Sequence, residues 1–431
     1  MTQHSARTRL EDALERIADP AGEGSRACLT VYRQGAQEAA DASDARAKSG
    51  LTLGSLDGAI VTIKDLFDVA GEPTRAGSKV LADAPPATVD APAVRRLRAA
   101  GAVIVAKTNM TEFAFSGIGL NPHYGTPGNP ADRSRIPGGS SSGAAVAAAD
   151  RMCDIAIGTD TGGSTRIPAA LCGIVGYKPS RQRVPTAGAF PLSFTFDSIG
   201  PLARTVADCA TADAVMAGDD PLPLEPAPAA GLRLGIPQGV LLRDLDDTVT
   251  AAFSAAIATL GKAGVRVIDQ AARLIDDMNR VNQKGGFVLP ESYAIHRDML
   301  ARRRADFDPL VATRIERGRE LAAADYVAMS RERARLVRQM DLELEDLDGL
   351  VLPTTPIVAP RIAEVATPET FQAKNMLVLR NTSAVNFFDL CAISLPLPSR
   401  GLPVGLMLVA RNGQDRRLMR IAAAVERIVA A

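Results

Sequence analysis

Asp90-Ala91-Pro92-Ala93-Val94-Arg95-Arg96-Leu97-Arg98-Ala99-Ala100-Gly101-Ala102-Val103-Ile104-Val105-Ala106-Lys107-Thr108 reads as two elements in succession. A capped helix runs to Gly101, which closes it, and a continuous apolar run follows as a buried strand. The same grammar recurs from Asp247 to Ile268, where a helical stretch ends at Gly264 and Val265-Arg266-Val267-Ile268 follows. Short apolar runs at Ala59–Ile63, Ile155–Ile157, Leu232–Ile236, Leu350–Leu352 and Pro403–Val409 read as further buried strands. Helices alternating with strands imply an α/β sheet.

Outside these units, residues 1–50 are expected to form an N-terminal helical segment. The stretch 217–230, with its Gly-Asp-Asp-Pro-Leu-Pro-Leu-Glu-Pro core, has the composition of a surface linker. Strand-like runs lie on both sides of it, so one domain with a long surface connection is preferred over two. Residues Ile315–Leu347 are rich in Arg and Glu at helical spacing and read as a solvated helix pair. Gln414–Val429 reads as an amphipathic helix. No internal repeat is visible.

The 431 residues carry 46% hydrophobic side chains, enough for a sizeable core. The 49 basic and 49 acidic residues cancel, so no overall field favours nucleic acid or an anionic membrane. Tryptophan is absent and aromatics make up 4%, which argues against stacked bases on an aromatic platform. The five cysteines are scattered without Cys-x-x-Cys spacing and fit reduced thiols, hence a cytoplasmic protein. No apolar stretch reads as a signal-peptide core or a membrane span.

Two Gly/Ser segments carry the chemistry. Pro137-Gly138-Gly139-Ser140-Ser141-Ser142-Gly143 precedes the helix-forming run Ala144–Ala149, so its serines stand at a helix start, where free backbone amides accumulate. Gly158-Thr159-Asp160-Thr161-Gly162-Gly163-Ser164-Thr165-Arg166-Ile167-Pro168 follows the strand-like Ile155–Ile157. Adjacent glycines let successive amides converge on one spot, as an acyl-transfer enzyme requires for the oxygen of a tetrahedral intermediate. Ser164 stands beside those amides.

A serine hydroxyl needs a base. The three histidines are poor candidates: His4 lies in a polar tail, His123 in a turn-like Asn-Pro-His-Tyr-Gly, and His296 reads as a satisfied surface or pocket-edge residue. A Gly-x-Ser-x-Gly elbow is missing. Lys64 ends the apolar run Ala59–Ile63, where a cation must find polar partners or lose its charge. Lys64 is therefore the candidate base. Arg166, two residues after Ser164, orients a substrate carboxylate or pairs with an internal acid, the second being preferred. No metal is expected, since no His or Cys cluster has ligand spacing, and no nucleotide cofactor, since neither phosphate-binding fingerprint is complete.

With these residues in place, the sequence resembles the amidase-signature hydrolases. The likeness rests on Val61-Thr62-Ile63-Lys64-Asp65, the Pro137–Gly143 loop, the stretch Gly158–Pro179, and Gly401-Leu402-Pro403-Val404-Gly405. The resemblance implies a Ser-Ser-Lys triad in which Lys64 is the base, Ser140 the bridging serine after a cis Gly139–Ser140 bond, and Ser164 the acyl-enzyme nucleophile. The family's 24-residue spacing between the two serines selects Ser140 over Ser141 and Ser142. It further implies an oxyanion hole from the amides of Thr161, Gly162, Gly163 and Ser164, with Ser141, Asp160 and Arg166 in support. The implied fold is one domain over residues 1–431: a central mixed, mostly parallel twisted sheet covered by helices on both faces. Phe113–Gly119 and Asn279–Arg319 are expected to line the entrance. The implied activity is hydrolysis of a small carboxamide to a carboxylate and ammonia. The alternatives are a glutamine-hydrolysing A subunit of a tRNA-dependent amidotransferase, a hydrolase of urea-like amides, and a non-catalytic protein on the same fold. A small-molecule amide is the expected partner, without nucleic acid or membrane, and a homodimer is the expectation from family and symmetry.

Overall fold

A computed structural model describes residues 5–430; His4 lies outside the described residues. Eleven strands form one sheet: β1 Cys28–Val31, β2 Ile60–Lys64, β3 Val103–Thr108, β4 Ile155–Asp160, β5 Val175–Lys178, β6 Ser198–Ala203, β7 Arg233–Gln238, β8 Arg266–Ala271, β9 Gly349–Pro353, β10 Cys391–Leu397 and β11 Val404–Ala410. Their order is β1-β3-β2-β4-β6-β5-β10-β11-β9-β7-β8. The first half of the chain joins the second through the β5–β10 pair, with Ile393 opposite Tyr177. One sheet fed by both halves makes a single α/β domain.

The sheet is mixed, but the expectation that it is mostly parallel is corrected. The pairs β2–β3, β2–β4, β7–β8 and β7–β9 are parallel. The pairs β1–β3, β10–β11, β5–β10, β9–β11, β4–β6 and β5–β6 are antiparallel. Every parallel pair joins strands read from an apolar run in the sequence, and two of these strands, β3 and β8, are also announced by a preceding helix and glycine. Five of the six antiparallel pairs involve β1, β5, β6 or β10, none of which was read as an apolar run.

The opening stretch folds as read: the helix Pro92–Ala99 has its proline in the first turn, and Gly101 follows it with φ +82°. A Cβ at Gly101 would lie 2.5 Å from Asp57 Oδ1, so both the left-handed backbone and the crowding require glycine. β3 follows with all six residues buried. The N-terminal segment is helical over Ala6–Ala18 and Arg33–Lys48, but it also contributes the edge strand β1, which was not expected. Residues 219–229 carry no regular element, and Glu225 and Ala227 bond to Arg420 of the last helix, Asp415–Ala430. The Arg/Glu-rich region Ile315–Leu347 holds one long helix, Ala323–Glu343, rather than the expected pair; the helix Pro309–Glu316 only reaches its start. No helix among the described residues is long and apolar enough to cross a membrane.

Candidate active site

Lys64 is the last residue of β2, in the sheet's interior beside β4, and is wholly buried. Its Nζ donates to Ser140 Oγ at 2.7 Å and to Thr159 Oγ1 at 2.9 Å. No carboxylate lies within ion-pair distance of it among the described residues. Burial brings its pKa down to about 7, against the upward pull of Asp160 and Asp197. An amine that shares its proton with hydroxyls alone in an apolar sheet is poised to give that proton up near neutrality.

Ser140, Ser141 and Ser142 are all buried, and their contacts separate them. Ser140 alone meets Lys64; the Gly139–Ser140 peptide is cis. Ser141 Oγ donates to Thr159 O at 3.4 Å, and its amide donates to Ser164 O at 3.3 Å, tying the two Gly/Ser segments together. Ser142 opens the helix Ser142–Ala149, and its hydroxyl has no partner.

Ser164 stands in the turn between β4 and the helix Arg166–Cys172. Its hydroxyl has no hydrogen-bond partner among the described residues, and Ser164 lines a cavity of about 1140 Å³. The turn is held from below by Asp160, which accepts the Gly163 amide at 2.9 Å and the Thr165 amide at 3.1 Å. Gly163 is therefore a correction to the expected amide set: its N–H is committed to Asp160. The amides of Thr161, Gly162 and Ser164 have no acceptor among the described residues. Gly163 also has φ +134°, and a Cβ there would lie 2.2 Å from Thr382 Oγ1, which itself donates to Gly162 O at 2.6 Å. A glycine is required for Thr382 to hold the turn.

Arg166 is an internal partner and does not line the cavity. Its Nε and Nη2 bond both oxygens of Asp160 at 3.0 and 2.9 Å, and Nη2 reaches Asn386 Oδ1 at 2.7 Å. Burial would raise the Asp160 carboxyl, but Arg166 above all, with Asn386 and Lys178, holds it well below the usual carboxylate range. Asp160 thus stays an anion at any working pH and keeps the turn in shape.

The expected entrance residues Ala114, Phe115 and Ser116 line the cavity, as do Asn279 and 282–289. Sequence reasoning missed the opposite wall, from the helix Pro368–Phe387, and missed Thr159 as a partner of Lys64. No histidine among the described residues lines this cavity. His123 bonds Glu112 at 2.7 Å. His296 is corrected: it is fully buried among Phe113, Phe190 and Phe307 with neither ring nitrogen bonded, and burial pushes its pKa down to about 4. The five cysteines are free and buried. No group of three or more His, Cys, Asp or Glu is arranged for a metal among the described residues.

The Amidase family model matches residues 10–419. A 2-amino-5-chloromuconic acid deaminase from Comamonas testosteroni is 36% identical, over 91% of this chain and 86% of its own. The 1-carboxybiuret hydrolase subunit AtzE from Pseudomonas sp. (strain ADP) is 35% identical, over 96% and 93%. A solved structure described as an amidase superposes with a TM-score of 0.89 at 33% identity, over 99% and 97%. This chain belongs to the amidase family and is an enzyme that hydrolyses amide C–N bonds.

Proposed function

We propose that the protein hydrolyses a small carboxamide to a carboxylate and ammonia through an acyl-enzyme on Ser164. The observation that carries this reading is the buried Lys64–Ser140 hydrogen bond beside a cavity whose floor holds a free Ser164 hydroxyl. Ser164 Oγ attacks the amide carbon while its proton passes to Ser140 and the Ser140 proton passes to neutral Lys64. The negative oxygen is met by the amides of Thr161, Gly162 and Ser164. Collapse breaks the C–N bond as the proton returns through Ser140 to the departing nitrogen, giving ammonia and a Ser164 ester. Water then attacks the ester carbon and gives a proton to the same relay, which returns it to Ser164 Oγ as the C–Oγ bond breaks; the acid formed leaves as the carboxylate, its proton passing to ammonia. No cofactor or metal is needed for this sequence.

The cavity walls support an amide that also bears a carboxylate. Arg314, on the helix Pro309–Glu316, lines the cavity with its guanidinium over the Phe115 ring at 4.6 Å and one bond to Phe115 O at 2.8 Å. It pairs with no carboxylate among the described residues, and burial together with Arg317 brings its pKa down to about 10. A cation left without an anion in a cavity wall is an acceptor for the substrate's own charge. The names of the two relatives above, which denote a muconic acid and a carboxybiuret, agree with this. The second of them favours a urea-like amide as the alternative substrate class.

The test is ammonia release from a panel of ω-amides of short dicarboxylates, neutral amides of equal size, glutamine and biuret-type amides. The acid amides are expected to give the highest kcat/KM. Arg314→Met is expected to raise their KM about tenfold or more, the loss of one charged hydrogen bond, while changing the neutral amides by less than twofold. Equal effects on both classes would remove the carboxylate reading. Preference for glutamine or for the biuret type would reassign the substrate within the same chemistry.

A further inference from the structure

Asp197 lies just before β6, in the segment between Phe190 and Ser198, and no sequence motif marks it. Its Oδ1 accepts the Thr161 hydroxyl at 2.5 Å, and its Oδ2 accepts the amides of Leu192 and Ser193 at 2.9 and 3.1 Å. Among the described residues it has no cation within ion-pair distance. Lys64 is the complementary case, a buried amine bonded to hydroxyls alone. Thr159 and Thr161, two residues apart at the end of β4, point the same way. Thr159 accepts a hydrogen bond from Lys64, and Thr161 donates one to Asp197. Thr159, Thr161 and Asp197 line a second cavity of about 340 Å³, which shares Ala114, Thr161 and Leu192 with the Ser164 cavity. Asp160, between the two threonines, turns the other way to Arg166.

We propose that Asp197 is a positioning residue for amide hydrolysis, anchoring Thr161 at the head of the turn that ends in Ser164 and supplying the negative charge against which Lys64 takes up its proton. The inference rests on the reading of Lys64 as the base. The charges facing this pair are few. Asp160 is answered by Arg166, with Lys178 contributing, while Asp65 and Lys107, which follow on β2 and β3, act on each other. Glu291 faces Asp197 and adds to the upward shift that burial gives it, to about 6. Glu291 in turn is bonded by Ser193, Thr195 and Tyr326. Arg181 lines the second cavity and donates to Phe194 O; of the two anions that act on Lys64, Asp160 is paired with Arg166, whereas Asp197 has no ion-pair partner among the described residues.

The experiment is the pH dependence of kcat/KM and kcat for wild type, Asp197→Asn, Asp197→Glu and Thr161→Val. Removing the anion makes Lys64 easier to deprotonate, so the acid limb of D197N should move down by about half a unit or more. Its kcat on the alkaline plateau should fall about tenfold, with KM changed less than twofold, because the turn loses its anchor. D197E should return the limb toward the wild-type position. T161V keeps the charge and breaks the anchor, so it should lower kcat without moving the limb. A D197N limb coincident with wild type overturns the electrostatic role, and a T161V kcat equal to wild type overturns the anchoring role. Should D197N not fold, Asp197→Ser supplies the neutral variant and T161V decides the anchoring by itself. Failure of the base reading shows differently, as a wild-type profile with no acid limb at all.

Discussion

Ser164→Ala is expected to lower kcat for amide hydrolysis by about 10⁴-fold or more, with the folded protein otherwise intact. The nucleophile is the one group for which neither the amides of the turn nor the Lys64 relay substitutes. The Ser164 hydroxyl has no protein partner, so its removal leaves no buried donor or acceptor unpaired. The melting temperature should therefore stay within a few degrees of wild type. Ammonia release and a thermal melt on the same preparation check both halves. Turnover within tenfold of wild type would place the chemistry on another residue.

Lys64→Met comes next in size, a loss of about 10³- to 10⁴-fold. Methionine fills the buried end of β2 with similar length but takes no proton from Ser140. The pH profile carries more information than the loss. With Lys64 at about 7, the neutral amine is scarce below that pH and predominant above it. Wild-type kcat/KM should therefore rise through neutrality and level off on the alkaline side. In K64M the residual rate should show no such rise. A wild-type profile flat from about pH 5 to 9, or an unchanged acid limb in K64M, would remove Lys64 from the role of base.

The parallel parts of the sheet were legible because each of their strands is a buried apolar run, two of them also announced by a helix and a closing glycine, at Gly101 and Gly264. β6 was not legible, because Ser198-Ile199-Gly200-Pro201-Leu202-Ala203 carries a Gly-Pro pair that reads locally as a turn. In the fold, Gly200 sits where the Tyr177 carbonyl approaches so closely that a Cβ would lie 2.0 Å from it. β10 hides similarly behind Pro396. Tertiary contact overrides local preference at both places. Because these two strands pair only antiparallel, missing them tilted the expected sheet toward parallel.

At the site, Lys64 and Ser164 were legible because each stands in a local pattern, a strand end or a glycine-rich turn, whereas Ser140 was singled out from three adjacent serines only by the family resemblance. Arg166 was expected to pair with an internal acid, and the structure identifies that acid as Asp160. Thr159 and Asp197 were not legible, since each acquires its part through a contact between distant segments: Thr159 lies 95 residues from Lys64, and Asp197 lies 36 from Thr161. Gly163 shows the reverse limit. The motif places four amides in a row, and the structure reveals that one of them is spent on Asp160.

The central claim is that Ser164 becomes the ester. Treating the wild-type enzyme with a fluorophosphonate, then digesting it and locating the added mass by tandem spectrometry, tests it most directly. The account predicts one adduct per chain, on the Ser164 hydroxyl, absent in S164A and slowed strongly in K64M. An adduct on a different residue, or an unmodified Ser164 in a preparation that loses its amidase activity to the probe, would contradict it.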